Sequence, residues 1–309
     1  MTAPRVAFLG TPAVAVPVLE ALARAVPVAA VFCNPDRPVG RGRVLTSPPV
    51  KVAAEALDLT VHQPRTWKDP ATRELWDGLH LDLAIVVAYG HILPGWMLDS
   101  LPLGAWNLHF SLLPRWRGAS PVNFAILEGD AETGVSLMRV SPGLDEGAVV
   151  AQSRRPILDS DDTEGLLARL AVDAAALLAT HLPALQAGAA RAVAQAGPTT
   201  YAPKLTKEMA HLDPSRPARA LHRQVRALQP WPAAELTLEG QVLKVLGVGG
   251  LRGTADPSGT LRWDKAGAFL ACGDGQALEL TLLQRAGKPV QPALQALQPW
   301  GGQGVHHLG

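Results

Sequence analysis

Asn107 and His109 lie two positions apart in the stretch NLHFSLLPRWRGASP, near the end of an apolar run that begins at Gly104. Residues i and i+2 of a β-strand point to the same face, so the carboxamide and the imidazole are expected side by side. Both groups can donate a hydrogen bond to an oxygen that becomes negative, as in acyl transfer through a tetrahedral intermediate. The pair therefore indicates acyl-transfer chemistry, whereas a lone histidine at a strand end is more often structural.

Such chemistry needs a third group that orients or charges the imidazole and helps to relay a proton. Asp145 is the attractive candidate, because it lies in the glycine-bounded stretch SPGLDEGAVV between two predicted strands. Asn107, His109 and Asp145 are therefore the candidate catalytic residues.

The first half of the chain alternates short apolar runs with amphipathic segments, which predicts a parallel sheet wrapped by helices. Ligands of such sheets bind outside the carboxyl ends of the strands. Gly10, Gly90 and the segment from Asn107 to His109 are thus expected to border one crevice. The predicted strands are Arg5 to Gly10, Pro27 to Phe32, Asp82 to Tyr89 and Gly104 to Phe110.

Two further strands, TGVSLMRV and GAVVAQSRRPI, precede a long predicted helix from about Asp162 to Gln186, at whose start Asp161 and Glu164 have capping-box spacing. The stretch from Gly188 to Leu205 has small residues, two prolines and no clear period, as a linker does. Short apolar runs joined by glycine-rich turns then predict a small β-barrel, with an OB-like closure as one option. The sequence favours a Rossmann-like, mostly parallel α/β sheet domain (1–188), a linker (189–205) and an OB-like β-barrel domain (206–309).

Missing motifs exclude several classes of protein. No G-x-G-x-x-G or G-x-x-x-x-G-K-[ST] motif occurs, which argues against dinucleotide and P-loop sites. The nine histidines form no H-x-x-x-H or H-E-x-x-H pair, so no metal is expected. Two cysteines cannot form a disulfide framework, and they favour a reducing cytoplasm. We expect no membrane partner, because the N-terminus lacks a signal-peptide pattern and no apolar run reaches about 18 residues.

Charge is distributed unevenly, although the formal net charge is only +1. Residues 1–203 hold 16 Lys and Arg against 19 Asp and Glu, whereas residues 204–309 hold 12 against 8. The second half is the more basic one, as an RNA-binding module would be, but ordinary surface variation is the more frequent explanation of such a difference.

The chain contains, in order, the stretches FLGTP, NPDRPVGRGR, SPPVK, VVAYGHILP, NLHFSLLPRWRGASPVNFAI, GLDEGAVV, YAPKLTKE and LQPWPA. Together they resemble the methionyl-tRNA formyltransferase family along nearly the whole chain. The pattern S-L-L-P-x-x-R-G, here Ser111 to Gly118, is the hallmark of the wider group of folate-dependent formyltransferases. The resemblance implies an enzyme that transfers a formyl group from 10-formyltetrahydrofolate to the α-amine of methionyl initiator tRNA, without a metal.

The resemblance also implies roles for individual residues. Asn107, His109 and Asp145 would be the catalytic trio. For Leu112 and Leu113 taken alone, core packing would be the favoured interpretation. The implied folate contacts are Ser111, Leu112, Leu113 and Pro114, together with Val87, Tyr89 and Gly90 at the end of the VVAYG strand.

The stretch PDRPVGRGRVL carries Arg37, Arg41 and Arg43 among flexible glycines. Planar guanidinium groups suit phosphates and stacked bases, but a solvated surface loop is equally expected from the residues alone. The resemblance implies that this loop approaches the acceptor end of tRNA, with Arg41 as the preferred contact. Arg115 and Arg117 stay open, because one of them would pin its own loop and the other would face a ligand.

Several alternatives remain. The same catalytic half occurs in formyltransferases of nucleotide-linked amino sugars, in glycinamide ribonucleotide formyltransferase and in formyltetrahydrofolate hydrolases. The arginine loop and the basic C-terminal domain favour tRNA over these substrates. A non-catalytic RNA-binding protein is disfavoured by the intact trio. We further expect the protein to be a cytoplasmic monomer.

Overall fold

The computed structural model describes residues 3–39 and 42–308, which form two compact units. The first unit takes the described residues up to Gly118 together with Glu132–Pro156 and Leu167–Tyr201. The second takes Ala119–Ala131, Ile157–Leu166 and the described residues from Ala202 onward. The domain boundaries at residues 188 and 205 drawn from the sequence stay a prediction.

The strands, numbered along the chain, are β1 (Val6–Gly10), β2 (Val28–Phe32), β3 (Arg37–Val39), β4 (Val44–Thr46), β5 (Val61–His62), β6 (Leu83–Val87), β7 (Ala105–His109), β8 (Arg117–Gly118), β9 (Glu132–Arg139), β10 (Val149–Pro156), β11 (Tyr201–Ala202), β12 (Ala234–Leu238), β13 (Gln241–Gly253), β14 (Thr260–Asp264), β15 (Gly267–Ala271), β16 (Gln276–Arg285), β17 (Gln291–Pro292) and β18 (Gly304–His307). The helices are α1 (Val16–Ala25), α2 (Pro49–Ala56), α3 (Pro70–Gly78), α4 (Gly95–Asp99), α5 (Pro121–Glu128), α6 (Thr163–Gln186), α7 (Ala218–Ala227) and α8 (Ala293–Ala296). Short 3-10 helices cover Ala13–Ala15, Lys207–Ala210 and Gln298–Trp300.

The first unit is built on a sheet with the strand order β10-β9-β7-β6-β1-β2-β5. Strands β5, β2, β1, β6 and β7 run parallel, whereas β9 and β10 are antiparallel to their neighbours. The chain turns from one side of β1 to the other between β5 and β6. The carboxyl ends of β1 and β6 therefore border the switch point at which ligands of such sheets bind, and the predicted mostly parallel sheet is confirmed.

Strands β1 and β6 are fully buried along their length, which explains why both read as unbroken apolar runs. The core on one side of the sheet includes Leu9, Phe32 and Trp76, each with almost no exposed surface. Burial of such side chains stabilises the fold by about 1.5–3 kcal/mol each. The central strands are thus a rigid support for the residues that follow them.

The residue that caps the N-terminus of helix α6 lies one position after the one that the sequence predicted. Asp162 caps the helix, because its Oδ1 accepts from the Gly165 amide at 2.8 Å. The carboxylate of Asp161 instead accepts from the Leu158 amide at 2.8 Å, within the preceding turn. The predicted capping by Asp161 is therefore wrong, since that side chain is engaged on the other side of the turn.

Among the described residues, α6 is long and apolar enough to cross a membrane by length and composition alone. Core helices of globular proteins meet the same criterion, and Leu166, Leu170 and Leu178 of this helix have no exposed surface. This single helix is weak evidence for a membrane span, and the expectation that no membrane is involved stays a prediction.

The second unit is built on a curled antiparallel sheet with the strand order β12-β13-β16-β15-β14-β18, and β17 pairs with β16. Glu239 and Gly240 both have positive φ, as a tight hairpin between β12 and β13 requires. The pairing of β13 with β16 shifts register on both sides of Gly247, and such bulges bend a long strand. A half-barrel around Trp263 results, which confirms the predicted OB-like class.

Candidate active site

Strand β7 carries Asn107 and His109 on one face, as the sequence predicted. Asn107 pairs with Met138 and His109 with Ser136 across the antiparallel neighbour β9. The imidazole is only 6% exposed, and the Asn107 side chain is half-buried. Within residues 3–39 and 42–308, no hydrogen bond of the Asn107 carboxamide is found. That amide is the group of this strand that remains available to a ligand.

His109 faces protein groups with both ring nitrogens. Its Nε2 lies 2.8 Å from the Trp116 carbonyl oxygen, and because a carbonyl can only accept, Nε2 carries the proton of that bond. Its Nδ1 lies 3.7 Å from Oδ2 of Asp145. This distance allows an ion pair but is longer than a hydrogen bond, so Nδ1 lies near the carboxylate and does not donate to it.

Asp145 is held in a tight turn between β9 and β10. Its φ of 50° is left-handed, and its Oδ2 accepts from the Gly118 amide at 2.8 Å. The backbone after it runs so close to β9 that a Cβ on Gly147 would overlap the Arg139 carbonyl. The structure thus brings Asp145 and His109 together, and puts Asn107 on the same strand face.

The loop Ser111–Pro114 follows β7 directly and is fixed by buried hydrogen bonds. Ser111 has no exposed surface, and its hydroxyl donates to the Arg115 carbonyl at 2.6 Å. Ser136 donates to the Ser111 carbonyl at 2.6 Å and accepts from the Leu113 amide at 3.1 Å. Leu113 is 6% exposed, whereas Leu112 and Pro114 are half-buried. Leu112 and Pro114 are therefore the members of this loop with surface to offer.

The end of β6 supplies backbone rather than side chains. Val87 and Tyr89 are buried, and burial raises the pKa of the Tyr89 hydroxyl. The Tyr89 carbonyl accepts from Thr11 Oγ1 and Asn34 Nδ2, each at 3.2 Å. Gly90 follows with a φ of 84° and is exposed.

A cavity of about 770 Å³ lies in the first unit beside this strand end. Trp67, His91 and Trp96 line it together with the charged residues Lys68, Asp69 and Arg73, and its described lining includes none of the predicted folate contacts. The Arg73 guanidinium stacks over the Trp96 ring at 5.1 Å.

Strands β3 and β4 pair as an antiparallel hairpin, in which Arg37 lies opposite Thr46 and Arg43 directly precedes β4. Arg37 and Arg43 are exposed, and Arg41 lies outside the described residues. Asp36, at the base, accepts from Lys51 at 2.8 Å and from Gln63 at 2.8 Å. The hydrogen bonds from Lys51 and Gln63 lower the pKa of the Asp36 carboxyl, and Asp36 raises the pKa of Lys51.

Arg115 and Arg117 have different surroundings. Arg117 binds Oε1 of Gln195 through Nε at 3.1 Å and a terminal nitrogen at 2.7 Å, so it pins its own loop. Arg115 is exposed and stacks over the buried ring of Trp116 at 4.3 Å. Trp116 is only 7% exposed, which fits packing.

Two family models match the chain: the formyl transferase model over residues 4–182 and the formyl transferase C-terminal domain model over residues 204–299. A methionyl-tRNA formyltransferase from Xanthomonas axonopodis pv. citri is 46% identical over 288 residues, which cover 92% of this chain and 93% of that protein. Another from Listeria innocua is 41% identical over 288 residues, 92% of each chain. The chain belongs to the methionyl-tRNA formyltransferase family.

Solved structures share the fold of this family. The Helicobacter canadensis N-formyltransferase in complex with folinic acid and dTDP-3-aminofucose has a TM-score of 0.69 at 16% identity, and the match covers 91% of this chain and 99% of that one. HypX from Aquifex aeolicus in complex with tetrahydrofolic acid has a TM-score of 0.64 at 18% identity, and covers 97% of this chain and 48% of that one. At these identities the likeness concerns the fold alone.

For this member of the methionyl-tRNA formyltransferase family, metal-free chemistry stays a prediction. Among the residues that the structure describes, no group of three or more His, Cys, Asp or Glu could hold a metal ion.

Some polar residues of the site belong to no motif that the sequence offers. Ser136 and Gln152 lie on β9 and β10 and bind the Ser111–Pro114 loop, and Gln195 lies in the predicted linker. A buried serine inside the apolar run TGVSLMRV was the one available hint, because a buried hydroxyl needs a partner. Gln195 follows no period or motif, and only the folded chain brings it to the site.

Proposed function

We propose that this chain transfers the formyl group of 10-formyltetrahydrofolate to the α-amine of methionine on initiator tRNA. The observation that carries the proposal is that His109, on the strand that presents the Asn107 carboxamide, lies 3.7 Å from Asp145 in the turn between β9 and β10. Relatives that are 41% and 46% identical over 92% of the chain are named methionyl-tRNA formyltransferases, which supports the same acceptor here.

The reaction joins the amine nitrogen to the formyl carbon and breaks the bond from that carbon to N10 of the folate. The carbonyl oxygen becomes negative in the tetrahedral intermediate. The Asn107 amide and Nδ1 of His109 would donate to it, since Nε2 is engaged by Trp116. Asp145 would balance the charge of a protonated imidazole. The amine loses one proton, through water and Asp145 or His109, and N10 gains one as tetrahydrofolate leaves.

Folate would bind along the crevice at the ends of β1, β6 and β7. Leu112, Pro114 and Gly90 have surface for contact. The buried side chains of Ser111, Leu113, Val87 and Tyr89 would act by shaping the wall. The cavity of about 770 Å³ beside the end of β6 is within the size range of small-molecule sites.

The tRNA would be recognised by the β3–β4 hairpin and by the C-terminal half. Exposed Arg37 and Arg43 can bind phosphates or stack on bases, and Arg41 keeps its predicted role without a structural account. Residues 204–309 contain 12 basic and 8 acidic residues, and this positive balance supports attraction of the nucleic acid. Monomeric state and cytoplasmic location remain predictions.

A direct assay tests the acceptor. Purified protein is mixed with 10-formyltetrahydrofolate and methionyl-tRNA, and formylmethionine is measured by mass spectrometry after deacylation. We expect formylation of the tRNA but not of a nucleotide-linked amino sugar or glycinamide ribonucleotide. Preferential formylation of either small amine, or folate hydrolysis alone, would reject the proposal.

Removing either donor should abolish most turnover. Asn107→Ala and His109→Ala are each expected to lower kcat by about 100-fold or more, because one donor to an oxyanion supplies that much. Thermal unfolding checks that both variants fold. His181→Ala, which removes a histidine of α6, is the control with unchanged kcat. Near-normal kcat in both site variants would contradict the assignment.

A further inference from the structure

Gln195 lies in the segment predicted as a linker, yet its side chain joins two loops of the candidate site. Its Oε1 accepts two bonds from Arg117, at 3.1 and 2.7 Å. Its Nε2 donates to the backbone carbonyls of Asp145 at 2.8 Å and of Gly147 at 2.9 Å. Both polar atoms of this amide are therefore used within the first unit.

These bonds close a ring around the catalytic carboxylate. Arg117 holds Gln195, Gln195 holds the backbone of Asp145, and Oδ2 of Asp145 accepts at 2.8 Å from Gly118, the neighbour of Arg117. Asp145 has a φ of 50°, a conformation that non-glycine residues keep only when their surroundings hold it. Gln195 supplies two of the bonds that hold this turn.

The segment around Gln195 is itself anchored, so the amide is presented by a fixed backbone. Val193 and Val149 exchange two backbone hydrogen bonds, at 2.8 and 2.9 Å. Thr200 accepts at Oγ1 from the Trp116 amide at 2.9 Å, and its carbonyl accepts from the Arg117 amide at 3.0 Å.

We propose that Gln195 is a positioning residue for the formyl-transfer reaction, which acts by fixing the Asp145 turn against His109. The proposal rests on the proposed function. An amide is required chemically, because the position needs an acceptor for a guanidinium on one side and N–H donors for two carbonyls on the other. A carboxylate satisfies only the first requirement.

Two variants separate positioning from stability. Gln195→Glu keeps an acceptor for Arg117 but turns a second oxygen toward two carbonyls, so the Asp145 turn is repelled while the loop stays paired. Gln195→Ala removes both the acceptor for Arg117 and the donor to the two carbonyls. We expect kcat for methionyl-tRNA to fall about tenfold or more in each, because small displacements of a reacting group are costly. Thermal unfolding checks that Gln195→Glu is folded at the temperature of the assay.

A double-mutant cycle with Arg117→Ala tests the ring as one unit. If Arg117 acts through Gln195, the double variant should lose no more kcat than Gln195→Ala alone. Thr199→Ala, an exposed position in the same segment, is the matched control and should keep the parent kcat.

The outcomes distinguish the two proposals. A parent protein that formylates no methionyl-tRNA refutes the proposed function, whatever Gln195 does. A parent protein that formylates it, with both Gln195 variants within twofold in kcat, overturns the positioning role. The positioning role is also overturned if the double variant loses as much kcat as the product of the losses in Arg117→Ala and Gln195→Ala. Should Gln195→Ala fail to fold, Gln195→Glu and the control still decide.

Discussion

The Ser136 hydroxyl is a buried junction beneath the Ser111–Pro114 loop. It donates to the Ser111 carbonyl at 2.6 Å and accepts from the Leu113 amide at 3.1 Å and from Gln152 at 2.8 Å. Ser136 has no exposed surface, so water cannot replace these bonds. The Ser136 hydroxyl is therefore one of the groups that fix the shape of the proposed folate wall.

Ser136→Ala should weaken both the fold and folate use. The Ser111 carbonyl and the Leu113 amide would lose a buried partner, which typically costs about 1–3 kcal/mol of unfolding free energy. We expect the KM for 10-formyltetrahydrofolate to rise several-fold as the loop loosens, with less effect on kcat. Denaturant unfolding and steady-state kinetics measure both quantities.

Ser153→Ala on the neighbouring strand β10 is the matched control. The Ser153 hydroxyl is buried and has no hydrogen-bond partner in the described part of the chain, so its removal should leave stability and KM nearly unchanged. Equal losses in the two variants would show that the hydrogen bonds of Ser136 are not the cause.

The geometry of the site was only partly predictable. The two-residue spacing of Asn107 and His109 fixes their common strand face, because side chains alternate along a strand. Asp145 reaches His109 from a separate turn, and no spacing rule predicts that approach. The same holds for Gln195 and Ser136, whose roles depend on long-range contacts.

At the scale of elements, the β3–β4 hairpin is attached to the sheet domain through the Asp36 carboxylate. Ser47, which follows β4, donates to it at 3.3 Å, and Lys51 on α2 lies 2.8 Å away. Asp36 therefore closes the base of the hairpin and joins it to the first turn of the following helix.

Neutral pH favours this attachment. The pKa of Asp36 is lowered by bonds from Lys51 and Gln63, so its contribution is present above the ordinary carboxyl range and is lost as the pH falls through the lowered pKa. The pKa of Lys51 is raised by Asp36, so its contribution is present below the ordinary lysine range and is lost as the pH rises through the raised pKa.

Asp36→Asn should uncouple the hairpin from the sheet domain. We expect the KM for methionyl-tRNA to rise several-fold while the KM for 10-formyltetrahydrofolate stays the same, because the exposed arginines are no longer held in one position. Steady-state kinetics with each substrate varied in turn provides the measurement. Asp58→Asn, an exposed carboxylate with the same charge change, is the control. If both variants lower the KM for tRNA equally, only net charge matters.

Regular elements were the predictable part of the fold. The strands β1, β2, β6 and β7 lie within the apolar runs that predicted them, since buried parallel strands need continuous apolar sequence. The segment from 189 to 205 was expected to be a linker, because small residues and prolines carry no periodic signal. Val193, Gln195 and Thr200 of this segment nevertheless bind residues far away in sequence.

At the scale of the whole molecule, each compact unit holds one cysteine in its interior. Cys33 follows β2 in the first unit with no exposed surface, and Cys272 follows β15 in the second with 2% exposed. Burial raises the pKa of each thiol to about 11. The thiolate is the reactive form, so at pH 8 only about one folded thiol in 1,000 would be ionised even with free access.

The two cysteines should therefore report the opening of each unit separately. At pH 8 we expect no reaction of the folded protein with a disulfide reagent within minutes, and two thiols per chain after unfolding in guanidinium. The variants Cys33→Ser and Cys272→Ser assign the slow labelling to one unit each, because a buried thiol reacts only from an opened state.

Saturation with 10-formyltetrahydrofolate at 100 times its Kd should slow labelling of Cys33 about 100-fold, since the proposed site lies in the first unit. Equal slowing of Cys272 would mean that the two units open together, whereas rapid labelling of either native thiol would contradict its burial.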